Sequence, residues 1–243
     1  MNEALLWGFL SAGSLLVGAV VALRFKVSQR LIGFVMAFGV GALISSVCFE
    51  LVENAFVESQ EIWVVAIGLA VGALVYFFGD ALIDKFGGKN RKNMRGVGSN
   101  NEGLPIVLGT VLDGIPESIV IGLTIVSGGG VGAAMVVAVF LSNIPEALTS
   151  STGLMASGWK KGSIIGLWLV VIAVSVMATL VGYLVFADVS GEVRAFILSF
   201  AGGAILTMLA DTMIPEAYRN SGRATGLIVV LGFCLAFALS TLE

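Results

Sequence analysis

The chain has 243 residues, of which 58% are hydrophobic and 12% charged, and its mean hydropathy is +1.03. A soluble domain is about a quarter charged and slightly less than half apolar. This composition therefore excludes an ordinary water-soluble globule, a disordered chain and a coiled coil. We therefore expect an all-α integral membrane protein, and we expect no nucleic-acid partner. The net charge is −3.

Hydropathy predicts eight membrane-spanning helices, because each crossing needs about 20 apolar residues. The eight segments are 4–24, 30–55, 62–84, 104–126, 131–156, 163–187, 193–217 and 224–242. They leave only short connections, apart from a polar and basic loop at about 85–103. We therefore expect one eight-helix transmembrane domain over residues 1–243, without a separate soluble domain.

The basic residues predict the orientation of this domain. Twelve of the thirteen Lys and Arg residues lie in or beside the first, third, fifth and seventh loops, and Arg194 alone lies on the other side. Cytoplasmic loops are enriched in Lys and Arg. The odd-numbered loops, including the 85–103 loop, are therefore predicted to be cytoplasmic, and both termini extracytoplasmic, with the plasma membrane as the expected location.

Spans two and seven resemble each other. Residues 38–45 parallel residues 200–207, and residues 53–56 parallel residues 215–218. The two spans are five crossings apart and so run in opposite directions, which is typical of the inverted repeats of transporters. This pattern predicts spans 1–3 and 6–8 as repeats around a central hairpin of spans 4 and 5. The alternative is that two glycine-rich apolar helices merely share a composition.

Spans four and five share a second and closer pattern. Residues 112–118 read Leu-Asp-Gly-Ile-Pro-Glu-Ser, and residues 141–147 read Leu-Ser-Asn-Ile-Pro-Glu-Ala. The glycine-rich turn at 127–130 lies between these twin motifs. At about 1.5 Å per helical residue, both prolines lie roughly 20 Å from that turn. The twin motifs are therefore predicted to face each other near the middle of the membrane.

The polar residues of the twin motifs predict a cation site. A charge at the bilayer centre costs at least ~3 kcal/mol, and neither span contains a Lys or Arg to neutralise it. In span four, Asp113 and Glu117 are four residues apart and so share one helical face. In span five, Ser142 and Asn143 precede Glu146 by four and three residues, and these three side chains also share a face. Each proline also leaves the carbonyl four residues earlier without its helical hydrogen bond. These oxygen atoms suit a divalent cation, although prolines that only kink two helices are the alternative.

Other acidic residues near span ends are weaker candidates. Glu50 in span two and Asp211 in span seven are possible accessory or pathway ligands. Asp80 and Asp113 together suggest a different class, an intramembrane aspartic protease, which needs two facing aspartates. The Gly-x-Gly-Asp pattern of such proteases is absent before Asp80, and the twin motifs would remain unexplained.

At the twin motifs the sequence resembles the ZIP (Zrt/Irt-like protein) family of divalent metal transporters. The family reads His-Asn-x-Pro-Glu/Asp-Gly and His-Glu-x-Pro-Glu-Gly at these places, where this chain has residues 113–118 and 142–147. The resemblance covers essentially the whole chain, including the Pro-Glu-Ala of residues 215–217. It implies eight spans, a transport site between spans four and five, a homodimer and an elevator-like movement of part of the bundle.

This chain departs from the family pattern because it contains no histidine. Asp113 and Ser142 stand where the family has histidines, and Asn143 stands where it has a second acidic residue. By the resemblance, Asp113, Glu117, Asn143 and Glu146 are metal ligands, and Ser142 is a further candidate. The number of metal ions stays open. Zinc is the family's usual substrate, whereas oxygen ligands alone favour harder ions such as manganese or iron.

The sequence therefore predicts a transporter of divalent metal cations (zinc, or manganese or iron), moving them into the cytoplasm. It predicts neither an enzyme nor a resident cofactor; the metal is the substrate. Two alternatives stay open. One is a metal-binding relative that does not transport, and the other is a transporter of protons or organic cations through the same carboxylates.

Overall fold

The computed structural model describes residues 1–85, 103–126, 132–186 and 189–242. Two regions singled out in the sequence, most of the basic loop at 85–103 and the turn at 127–130, lie outside the described residues. All regular secondary structure in the described ranges is helical. The expectation of an all-α protein is confirmed for this part of the chain.

The described residues form ten α-helices, two pairs of which are joined end to end. They are α1 (Asn2–Arg24), α2 (Gln29–Ser46), α3 (Glu53–Ser59), α4 (Ile62–Lys85), α5 (Gly103–Val126), α6 (Ala133–Ala156), α7 (Lys161–Val185), α8 (Gly191–Met208), α9 (Ile214–Ser221) and α10 (Ala224–Ser240). Ser28 and Ser190 begin α2 and α8 as N-caps, since each side chain accepts a hydrogen bond from the backbone N–H three residues on.

Two π-helical segments lie inside long helices. The first, Val47–Val52, joins α2 to α3, and the second, Leu209–Met213, joins α8 to α9. They begin at equivalent positions of the two segments that resemble each other in sequence. Single-turn π segments inside α-helices are rare and are frequently found at functional sites. The similarity between spans two and seven is therefore accompanied by the same local change in helical winding.

Length and apolar composition make this a multi-pass membrane protein. Among the described residues, seven continuous helical stretches are long and apolar enough to cross a membrane, including Gln29–Ser59 and Gly191–Ser221. Ala224–Ser240 is apolar but has only 17 residues. Both composite stretches extend four residues beyond the predicted ends of spans two and seven, because the chain continues as α3 and α9 after each π segment.

Glycines bring pairs of helices into backbone contact. α2 packs along α10, and α4 packs along α8, with each crossing made by a glycine from both helices. At each of these glycines a Cβ atom would clash with a carbonyl oxygen of the neighbouring helix. The contacts are Gly41 with Val229, Gly232 with Phe38, Gly72 with Phe200, and Gly203 with Leu69. Such approaches are the usual way in which membrane helices gain van der Waals contact.

A second group of helices carries the twin motifs. α1 packs along α6 and α7, and α5 packs along α7. Gly18 of α1 lies against the Ile144 carbonyl, while Gly122 and Gly182 make the α5–α7 contact. The Trp168 indole of α7 is fully buried and donates a 2.8 Å hydrogen bond to the Ser151 hydroxyl. The candidate ligands thus lie on α5 and α6, and these helices pack closely against α7 and α1, respectively.

Candidate cation site

The candidate ligands lie on two helices that continue through their prolines. Pro116 lies inside α5 and Pro145 inside α6. Asp113 and Glu117 precede and follow Pro116, and both side chains are buried, with only 4% and 2% of their surfaces exposed. Burial of carboxylates in the middle of apolar helices is rare and marks functional sites in membrane proteins.

One cavity contains carboxylates from three helices, and we call it the carboxylate cavity. Its lining residues are Met36, Asp113, Glu146, Thr149, Ser150, Met208, Met213 and Glu216. Thr149 is 2% exposed, and its hydroxyl has no hydrogen-bond partner among the described residues. A buried hydroxyl without a partner carries a desolvation cost of about 1–3 kcal/mol. The cavity therefore offers carboxylate, hydroxyl and thioether groups to an occupant.

A second cavity contains the other two predicted ligands, and we call it the Glu117 cavity. Its lining residues are Ser11, Ala12, Leu15, Thr110, Gly114, Glu117, Ser118, Val139, Asn143 and Ser175. Glu117 Oε1 is buried and has no hydrogen-bond partner among the described residues. The Asn143 side chain donates a 3.3 Å hydrogen bond to the Ser11 carbonyl oxygen of α1. The amide oxygen of Asn143 is therefore the part of this side chain that remains for a cation.

The two cavities are electrostatically connected. Glu117 interacts with the charges of both Glu146 and Asp113, which line the neighbouring cavity. Nevertheless, no three His, Cys, Asp or Glu side chains gather into one compact metal-binding group within the described ranges. A cation in either cavity would thus draw on carboxylates together with neutral oxygen or sulfur atoms. None of the described residues that line the two cavities is basic.

The remaining predicted ligands lie elsewhere. The Ser142 hydroxyl donates a 3.0 Å hydrogen bond to the Val139 carbonyl of its own helix, and Ser142 lines neither cavity. Glu50 is buried in the first π segment, with its carboxylate next to Gly132 at the start of α6. Asp211 lies in the second π segment and is exposed. The structure therefore brings four of the predicted residues to the two cavities and leaves these three outside.

Two residues of the site were not singled out as ligands in the sequence. Glu216 follows Pro215 at the start of α9, and it is buried in the wall of the carboxylate cavity. Tyr76 of α4 donates a 2.6 Å hydrogen bond to Asp113 Oδ1. The repeated Pro-Glu pair of residues 215 and 216 was a usable signal for Glu216. For Tyr76 no local signal exists, because the partner is 37 residues away.

Comparison with known proteins gives one informative similarity. No family model matches the chain. The chain is 22% identical over 207 residues to an Arabidopsis thaliana protein named "Putative zinc transporter At3g08650". The match covers 84% of this chain and 33% of that protein, so this chain spans about a third of the relative's length. The similarity thus extends along most of this chain and a minor part of the relative.

Proposed function

We propose that this protein transports divalent metal cations across the membrane through the carboxylate cavity and the Glu117 cavity. The observation that carries the proposal is that Asp113, Glu117 and Glu146 line two cavities whose described walls contain no basic side chain, with Asp113 and Glu117 buried and Glu146 partly buried. Ionisable side chains inside membrane-spanning helices are rare and mark substrate, ion or proton pathways. The name of the Arabidopsis relative and the resemblance to the ZIP family support a metal as that cation.

The proposed ligands divide between the cavities. Asp113 and Glu146 hold a cation in the carboxylate cavity, and Glu117 with Asn143 holds one in the Glu117 cavity. Proximity of Glu117 to the other two carboxylates supports passage between these positions. We retain Ser142 as a proposed ligand, which requires that its hydroxyl leave the Val139 carbonyl, and we retain Glu50 and Asp211 as pathway residues.

The proposed architecture has eight spans, with α10 as the eighth, and two inverted repeats around α5 and α6. The matched π segments and the reciprocal glycine contacts of α2 with α10 and of α4 with α8 support this arrangement. The basic residues support cytoplasmic odd-numbered loops and extracytoplasmic termini. The plasma membrane is the proposed location. A homodimer follows from the family resemblance alone. Zinc is the proposed substrate, with manganese and iron as its rivals.

Uptake into proteoliposomes tests the proposal. Zn²⁺, Mn²⁺, Fe²⁺, Cd²⁺ and Mg²⁺ are offered separately to wild-type protein and to the double variant Glu117→Ala/Glu146→Ala. The matched control is Glu53→Gln, because Glu53 is exposed at the start of α3. We expect uptake of at least one metal by the wild type and the control, and none by the double variant.

The alternatives give different results in the same assay. A metal-binding relative that does not transport would bind a cation in detergent solution without any uptake. A transporter of protons or organic cations would show no metal uptake and would acidify or load the vesicles instead. A protease that uses Asp80 and Asp113 would show no metal uptake in this assay.

A further inference from the structure

A buried hydrogen bond joins the proposed cation site to a helix that does not line it. Tyr76 Oη of α4 donates to Asp113 Oδ1 of α5 at 2.6 Å, and Tyr76 is 2% exposed. A hydrogen bond from a hydroxyl to an ionised carboxylate is shorter and about twice as strong as one between neutral groups. Asp113 lines the carboxylate cavity, whereas Tyr76 is not among its lining residues.

The packing around Tyr76 fixes the direction of its hydroxyl. One turn before it, Gly72 is in contact with the Phe200 carbonyl of α8, where no Cβ atom would fit. One turn after it, Gly79 faces Leu112, the residue immediately before Asp113. A tyrosine side chain has few rotatable bonds, and this one is 2% exposed and belongs to the main buried core of the helices. The phenol is therefore a rigid donor that holds the Asp113 carboxylate in one orientation.

We propose that Tyr76 is a positioning residue for the cation, acting through Asp113. The inference rests on the proposed function. With Oδ1 held by the phenol, the Asp113 carboxylate keeps a fixed rotamer and need not be ordered when a cation arrives. Hydrogen-bond partners of metal-binding carboxylates commonly contribute 10–100-fold to metal affinity or activity. Tyr76 also connects the α4–α8 pair to the α5–α7 pair at the site itself.

The variant Tyr76→Phe removes the hydroxyl and keeps the ring. The matched control is Tyr218→Phe, since Tyr218 is 57% exposed. Dissociation constants for Zn²⁺ and Mn²⁺ are measured by calorimetry on purified protein in nanodiscs, and uptake KM and Vmax are measured in proteoliposomes. We expect Tyr76→Phe to raise Kd and KM about 10–100-fold with Vmax within about twofold, and the control to match the wild type.

A purely structural hydrogen bond would give another result. In that case Tyr76→Phe would lower the amount of folded protein or Vmax while Kd stayed at the wild-type value, and the proposal would be overturned. If the wild type itself binds no metal in this panel, the proposed function fails, which is a distinct outcome. Wild-type binding with an unchanged Kd in Tyr76→Phe overturns the Tyr76 assignment alone.

A double-mutant cycle keeps the test usable if Tyr76→Phe does not fold. Asp113→Asn is compared with Asp113→Asn/Tyr76→Phe, in which both members of the hydrogen bond are replaced. If Tyr76 acts through Asp113, the single variant binds more weakly than the wild type and the double variant binds no more weakly than the single. A further loss in the double variant, or wild-type affinity in Asp113→Asn, would overturn the proposal.

Discussion

Replacement of Glu117 by glutamine is the sharpest perturbation that the structure offers. The side chain is 2% exposed, and Oε1 has no hydrogen-bond partner in the described part of the chain. A charge at this depth costs at least ~3 kcal/mol, whereas a buried neutral polar group without a partner costs about 1–3 kcal/mol. The metal-free carboxyl can avoid the larger cost by taking up a proton, so Glu117→Gln is expected to leave the metal-free protein at least as stable as the wild type.

The same substitution is expected to abolish stabilisation by metal. A ligand at 100 times its Kd stabilises the folded state by about 2.7 kcal/mol. Since 1 kcal/mol shifts Tm by about 2–4 °C in a chain of this size, the wild type should gain roughly 5–11 °C on adding metal. Glu117→Gln should melt no lower than the wild type without metal and show no rise when metal is added.

Thermal melts of detergent-solubilised protein, with and without Zn²⁺ or Mn²⁺, measure both effects. Glu53→Gln serves as the control, because an exposed carboxylate outside both cavities should change neither melting temperature. A Glu117→Gln protein that still gains the full wild-type shift on adding metal would refute the assignment of Glu117 as a ligand. A lower melting temperature without metal would show that the carboxylate stabilises the fold, contrary to the reasoning above.

Three further predictions concern the cavity, the packing and the orientation. Glu216→Gln should lower metal uptake in the proteoliposome assay by at least about tenfold. The loss of a group that acts on the metal only through its ligands typically has an effect of this size. Uptake at the wild-type rate would exclude Glu216 from the transport path. Gly72→Ala should destabilise the protein by about 1–3 kcal/mol, because the added Cβ would meet the Phe200 carbonyl oxygen. Gly226→Ala is the control and should not destabilise the protein, because the space around Gly226 is open. Equal melting temperatures for the two variants would contradict this packing. Lys160→Cys, in a background without the two native cysteines, should react with a membrane-impermeant maleimide only after cells are permeabilised, and labelling of intact cells would reverse the proposed orientation.

Much of the membrane architecture is readable from the sequence because it depends on local composition. Each spanning helix needs a long apolar run, so the runs predict the helices to within a few residues. The two helices that contain π segments extend beyond their apolar runs, because each π segment is followed by a short α-helix that ends at Ser59 or Ser221. The twin motifs also predicted candidate ligands on α5 and α6, and Asp113 and Glu117 of α5 are buried in the structure.

Other features depend on contacts between distant parts of the chain. The sequence groups Asp113 with Glu117 because they are four residues apart on one helix. In the structure they lie beside different cavities, and the carboxylate cavity also has walls from α2, α8 and α9. Glu216 enters the cavity wall because Pro215 begins α9 immediately after the second π segment.

The sequence by itself determined that this is a multi-pass helical membrane protein with acidic residues inside its apolar helices, because hydropathy and spacing along one helix are local properties. Only the tertiary structure decided which of those acids meet, that Asp211 is exposed while Glu216 is buried, and that Tyr76 holds Asp113. The physical reason is that side chains from separate helices become neighbours only through helix packing, and here glycine contacts between backbones set the distance and register of that packing.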